Sequence, residues 1–141
     1  CFKDNSLTTV ELPPLLEYVN SGCFENNLIK TLVVPKTILV ICESAFFNNR
    51  LKKVVFESPS TLKHIWTSAF AQNRLTTLDL PESMRRIGTR AFGSNRLTHV
   101  KFDAFQKLEL FDMTSFETQT EPLKIAIGPD NKPPVLYFGA M

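Results

Sequence analysis

Apolar residues in this chain recur in a fixed figure: one residue, a second three places on, and a third two places after that. The figure stands at Leu7/Val10/Leu12, Ile29/Leu32/Val34, Leu51/Val54/Phe56, Leu75/Leu78/Leu80 and Leu97/Val100/Phe102. A worn sixth copy runs through Ile125 and Ile127. Its last step alternates with period two, which predicts a short strand with both apolar residues on one side. Pro13, Pro35 and Pro81 close three copies, and a residue without an N–H cannot continue a ladder. A second apolar pair follows each figure, at Leu16/Val19, Ile38/Ile41, Leu62/Ile65, Met84/Ile87 and Leu108/Phe111.

Next comes a phenylalanine. Phe2, Phe24, Phe46, Phe70, Phe92 and Phe116 are spaced by 22, 22, 24, 22 and 24 residues. Each follows a small residue: Cys1, Cys23, Ala45, Ala69, Ala91 or Ser115. Three places after each Phe stands Asn5, Asn27, Asn49, Asn73 or Asn95, with Gln119 in the last copy. The two longer units carry their extra residues at one place, in "ESPST" and "DAFQK". Insertions confined to one loop are what stacked repeats tolerate.

A unit of this length cannot bury its own apolar face, so successive units must stack into a solenoid. Strands of successive coils then run parallel, about 4.8 Å apart. The Phe column is expected to stack inside the wall opposite those strands, each buried ring contributing about 1.5–3 kcal/mol. An Asn in a tight turn can bond main-chain groups in its own turn or in the next coil. Asn27, Asn49, Asn73 and Asn95 therefore read as a structural ladder, because a buried amide left unpaired costs about 1–3 kcal/mol.

The phrase "LTTLDLPESMRRIGTRAFGSN" carries a family resemblance. It resembles the BspA-like, or Treponema-type, leucine-rich repeat almost position for position. The resemblance covers residues 1–119 as about five repeats of 22–24 residues, starting in mid-repeat. Residues 120–141 are expected to form a worn last repeat or a C-terminal cap. The resemblance implies a leucine-rich-repeat solenoid: a curved right-handed coil with a parallel concave β-sheet and short strand or 3-10 convex segments. It also implies a surface or secreted setting, with adhesion or host contact through protein partners. One departure stands out. The usual Gly after the second pair survives only at Gly88; Asn20, Cys42, Trp66 and Asp112 fill the column elsewhere. Local turn geometry is expected to vary there.

With the triplets buried, alternation fixes the outward columns of the concave sheet. One is Thr9, Thr31, Lys53, Thr77 and His99; the next is Glu11, Val33, Val55, Asp79 and Lys101. Thr31, Val33, Lys53, Val55, Thr77, Asp79, His99 and Lys101 are the expected partner-binding residues, since solenoids bind along such surfaces. Adjacent Val33 and Val55 in a Thr- and Lys-rich setting fit a small interface centre with a polar rim. The plainer alternative is that Val and Thr are simply good strand formers. Arg50, Arg74 and Arg96, each just after a ladder Asn, form a candidate basic stripe suited to carboxylate, sulfate or phosphate. Its alternative is neutralisation by nearby acids such as Glu43, Asp79 or Glu82, or by solvent.

Composition narrows the function classes. A net charge of +2 over 141 residues lacks the basic bias of a nucleic-acid binder. No apolar run approaches the roughly 20 residues of a membrane span. No H-E-x-x-H, paired C-x-x-C, G-x-S-x-G or Gly-rich phosphate loop occurs, and His64 and His99 fall on different walls. No catalytic, metal or cofactor site is expected. Cys1 and Cys23 read as small packing residues that stack closely enough to oxidise; Cys42 stands in a variable column with the chance of being accessible. Glycan binding would favour a row of exposed aromatics, and Phe47, Trp66 and Phe105 are scattered. The reading is thus a protein-interaction module, with a glycan-binding surface protein or a structural spacer as alternatives. Because "LTTVELP" aligns with "LTTLDLP", the chain is expected to open in mid-coil with an exposed N-terminal edge, earlier repeats or a cap preceding it.

Overall fold

The computed structural model describes residues 1–102, 110–111, 113–120 and 122–127. Two kinds of strand alternate along the described chain. Four-residue strands are β2 (Thr31–Val34), β4 (Lys53–Phe56), β6 (Thr77–Leu80), β8 (His99–Phe102) and β10 (Lys124–Ile127). Two-residue strands are β1 (Tyr18–Val19), β3 (Val40–Ile41), β5 (His64–Ile65), β7 (Arg86–Ile87) and β9 (Leu110–Phe111). The short strands form one parallel ladder in the order β1-β3-β5-β7-β9. The long strands line the opposite wall. The chain is a leucine-rich-repeat solenoid, one coil per repeat.

Alternation sets what each long strand buries. Leu32 and Val34, Leu78 and Leu80, and Val100 and Phe102 face the core, while the residues between them face out. From the short strands come Val19, Ile41, Ile65 and Ile87, all buried. Strand β10 pairs with β8 so that Ile125 lies beside Val100 and Ile127 beside Phe102, as the worn sixth copy requires. The insertion "DAFQK", Leu108, Asp112 and most of the proposed cap at 120–141 lie outside the described residues.

Between the walls runs the phenylalanine spine. Successive rings from Phe2 to Phe116 stack nearly parallel with centroids 5.3–5.6 Å apart. Phe46, Phe70 and Phe92 are wholly buried, whereas Phe2 at the first coil is 55% exposed. The small residue before each ring lets the backbone close up: Ala45, Ala69 and Ala91 have no exposed surface. In the last coil Ser115 takes that place, and its hydroxyl donates to the Gly88 carbonyl at 2.9 Å.

The asparagine column is a ladder, and its reach is into the preceding coil. Asn73 Oδ1 accepts from the Leu51 N–H at 3.0 Å. Its Nδ2 donates to the carbonyls of Phe46 at 2.9 Å and Phe70 at 3.0 Å. Asn27, Asn49 and Asn95 repeat the set, each buried. Gln119 reproduces it with Leu97 and Phe92. Exposed Asn5 bonds only within its own turn, to Phe2 and Lys3.

The turn after the second apolar pair does not vary as the sequence suggested. The carbonyls of Asn20, Cys42, Trp66 and Gly88 each accept an N–H three residues on at 3.2 Å. None of the four has a left-handed φ, so glycine is not required there. Gly88 answers a local demand instead. A Cβ at this position would meet the Thr67 nitrogen at 2.8 Å and the Trp66 carbonyl carbon at 2.9 Å. Left-handed φ falls two residues before the Phe, at Gly22, Ser44, Ser68 and Arg90. It recurs two residues after the Phe, at Asp4, Asn26, Asn48, Gln72, Ser94 and Thr118.

A second ladder runs on the far side of each coil. Thr37 Oγ1 donates to the Leu16 carbonyl at 2.8 Å, Thr61 Oγ1 to Lys36 at 2.6 Å, and Ser83 Oγ to Leu62 at 2.6 Å. These hydroxyls stand just before the second apolar pair, and each fastens one coil to the last.

Two substitutions measure these supports. Phe70→Ala should lower stability by about 3–5 kcal/mol in urea titration, as for a fully buried ring; a shift near zero is incompatible with a stacked spine. Asn73→Ala leaves the Leu51 N–H and the carbonyls of Phe46, Phe70 and Ala71 without that partner, so it should cost about 1–3 kcal/mol for each group that water cannot reach.

Candidate functional site

Both candidate surfaces are produced by the coil repeat. On the long-strand wall, Thr31 registers with Lys53 and Val33 with Val55. Thr77 registers with His99, and Asp79 with Lys101. All eight of these side chains are exposed. Val33 and Val55 are 52% and 40% exposed, which is high for apolar side chains in a chain whose other valines in strands are largely covered.

The ladder on this wall is not continuous. Its hydrogen-bonded groups are β2-β4 and β6-β8-β10. The break follows the repeat that carries "ESPST". That insertion is not a sufficient cause, because β8 pairs with β10 in register despite an insertion of its own. What distinguishes β4 is its end: Phe56 is only half-buried, whereas its column mates Val34, Leu80 and Phe102 are buried.

A cleft of about 630 Å³ opens at the break. Its sides carry Lys53 and Val55 from one sheet group and Thr77, Asp79 and Lys101 from the other; its floor reaches Phe56 and Leu80. The structure therefore brings five of the eight expected residues around one concavity. Thr31, Val33 and His99 lie on the same wall beyond its rim. The His99 ring nitrogen Nδ1 sits 3.0 Å from the Thr98 hydroxyl. His64 belongs to β5 on the opposite wall and stacks on Trp66 at 5.1 Å.

The second surface is the turn edge. Arg50, Arg74 and Arg96 line a groove of about 550 Å³ with Asn26, Asn48, Gln72 and Ser94. The backbone of each arginine is fixed, its N–H donating to Ile29, Leu51 or Leu75 of the coil before at 2.8–3.0 Å. No carboxylate of Glu43, Asp79 or Glu82 forms an ion pair with the stripe. None of the three guanidinium groups enters an ion pair among the described residues, and Asp79 and Glu82 line the other cleft. The sequence did not announce the side chains that share this groove. Their signal was the polar residue two places after each Phe, where a left-handed backbone favours Asn.

Among the described residues no group of His, Cys, Asp and Glu is arranged to hold a metal ion, and no helix is long and apolar enough to cross a membrane. Cys1, Cys23 and Cys42 are free thiols. Cys42 is half-buried, and that burial pushes its thiol above the ordinary range. A raised pKa lowers the thiolate fraction at neutral pH, so Cys42 is a poor nucleophile. Iodoacetamide labelling followed by mass spectrometry should modify Cys42 more slowly than exposed Cys1 at neutral pH. The Cys42 rate should still be climbing with pH where that of an ordinary thiol has levelled.

Comparison with known proteins bears on the repeat. The family described as BspA type leucine rich repeat region matches residues 1–122 in six copies. Neither a curated protein nor a solved structure matches the chain.

Proposed function

The chain belongs to the BspA-type leucine-rich repeat family, and from that premise we propose that it is a protein-interaction module of a surface or secreted protein, engaging its partner through the long-strand wall. Adhesion or host contact is the setting in which such a module works. The observation that carries this reading is the cleft between β4 and β6. It joins exposed Val55 and half-covered Phe56 to a charged border of Lys53, Asp79 and Lys101. An apolar centre with a polar rim is the anatomy of a protein interface. Aromatic anchors in desolvated pockets carry most interface energy, and Phe56 supplies a ring that a partner's side chain could cover.

The solenoid holds these groups in place without closing over them. The Val55 and Lys53 backbones are paired to Val33 and Thr31, so little ordering is required on binding. Low ordering cost favours affinity. The cleft offers the amines of Lys53 and Lys101, the carboxylates of Asp79 and Glu82 and the hydroxyls of Ser58, Ser60, Thr77 and Ser83, groups suited to hydrogen bonds and ion pairs with a partner.

The test uses the whole chain immobilised against a panel of purified surface and extracellular proteins. A partner bound by the wild type should lose at least about ten-fold in affinity, or about 1.4 kcal/mol, with Val55→Asp and with Lys53→Glu. Both side chains are exposed, so melting temperatures should stay close to wild type. Undiminished binding by both variants would move the site off this wall. Absence of binding across the panel would favour a spacer that supports another domain.

A further inference from the structure

We propose that Arg50, Arg74 and Arg96 form a second binding site, on the turn edge, for a sulfated polysaccharide. The residue after the ladder amide is Ser6, Leu28, Arg50, Arg74, Arg96 and Thr120 in successive coils. The basic stripe thus spans three consecutive coils and stops at an apolar residue on one side and a neutral one on the other. The Phe rings of the same coils repeat at 5.3–5.4 Å, so the three arginines are presented at a short, regular interval.

Three like charges at that interval repel one another, and among the described residues no carboxylate pairs with them. Arginine elsewhere in the molecule does find a carboxylate, as Arg90 does with Glu117 at 3.0 Å. The groove lining contains no Asp or Glu. Apart from Leu28, its other side chains are amides and a hydroxyl. Asn48 donates to Asn26 at 2.9 Å, and Asn26 donates to Asp4 at 2.7 Å, which holds that carboxylate two coils before Arg50. Gln72 and Ser94 keep their side chains available between the arginines.

This chemistry selects among polyanions. Guanidinium matches the planar, multidentate presentation of oxyanions, and the neutral amides and hydroxyl suit the hydroxyls of a sugar chain. Single-stranded nucleic acid is bound by stacking its bases on aromatic side chains, and the groove lining contains none. An extended acidic peptide places same-face side chains about 6.7 Å apart, out of step with the coil interval. A sulfated sugar chain carries sulfate oxygens and hydroxyls together, which is the mixture that guanidinium groups beside neutral amides can bind.

The probe is size-defined heparin, measured by calorimetry at low salt with the complete chain. Wild type should bind, and the triple variant Arg50→Gln/Arg74→Gln/Arg96→Gln should bind at least ten-fold more weakly. The slope of log affinity against log salt should shrink by about two, as the loss of three counterion-releasing contacts at about 0.7 each requires. Arg74→Gln alone, the central position, should show the largest single loss and guards against a triple variant that fails to fold. Lys36→Gln/Lys63→Gln, which changes charge away from the groove, should bind as wild type does. Equal heparin binding by wild type and the triple variant overturns the proposal. So does binding of unsulfated hyaluronan, oligo-dT or polyglutamate as tight as that of heparin.

Discussion

The carboxamide three residues after each phenylalanine is the contact on which the rest of this molecule depends. It accepts one main-chain N–H from the preceding coil and donates to carbonyls of both coils. That turn would otherwise bury unpaired backbone, at a cost of about 1–3 kcal/mol per group. The same contact brings consecutive phenylalanines to one stacking distance. Coil interval, strand register and the alignment of every outward column follow from it. Gln119 shows that the requirement is chemical and not steric, since a longer side chain makes the same bonds.

Most of this scaffold was legible because it is written in residue identity at a fixed period. Phe, Asn and the apolar triplet each recur where one side chain has one task, so the spine, the ladder and the strand faces could be read directly. The left-handed positions could not, because they are a backbone condition met by Asp, Asn, Gln, Ser, Thr, Arg and Gly alike. The Thr37–Thr61–Ser83 hydroxyl ladder was hidden for a similar reason: two residue types serve one bond, and an insertion shifts the middle member. The Gly88 column misled in the other direction. Its glycine answers the closeness of the Trp66–Thr67 backbone in the neighbouring coil, a tertiary contact that no single repeat contains.

The candidate surfaces were legible only in part. Alternation put the eight long-strand residues outside, and all eight are exposed. The concavity that gathers five of them depends on where a ladder stops, which periodicity does not encode. On the turn edge the arginine column was visible, but its lack of ion pairs among the described residues depends on distances in three dimensions. Asp79 and Glu82 are close to Arg74 in sequence and face the other cleft. One coil thus presents two chemically different sides, an apolar centre with mixed charge on the strand wall and an unbalanced basic row on the turn. Because scaffold positions and outward positions are separate sets, either side can change its residues without disturbing the stack.

The discontinuity between β4 and β6 also has a mechanical meaning. The wall of short strands is bonded from β1 through β9 without a gap. The strand ladder of the opposite wall is bonded only within two blocks, joined across the break by core packing, by the Arg74 N–H on the Leu51 carbonyl and by the Asn73 amide. A body fastened along its back and split down its front bends like a book about its spine. The phenylalanine stack and the short-strand ladder act as the binding that keeps the pages in order. The opening between Val55 and Asp79 thus lies between two separately bonded blocks, each of which keeps its own side chains in register.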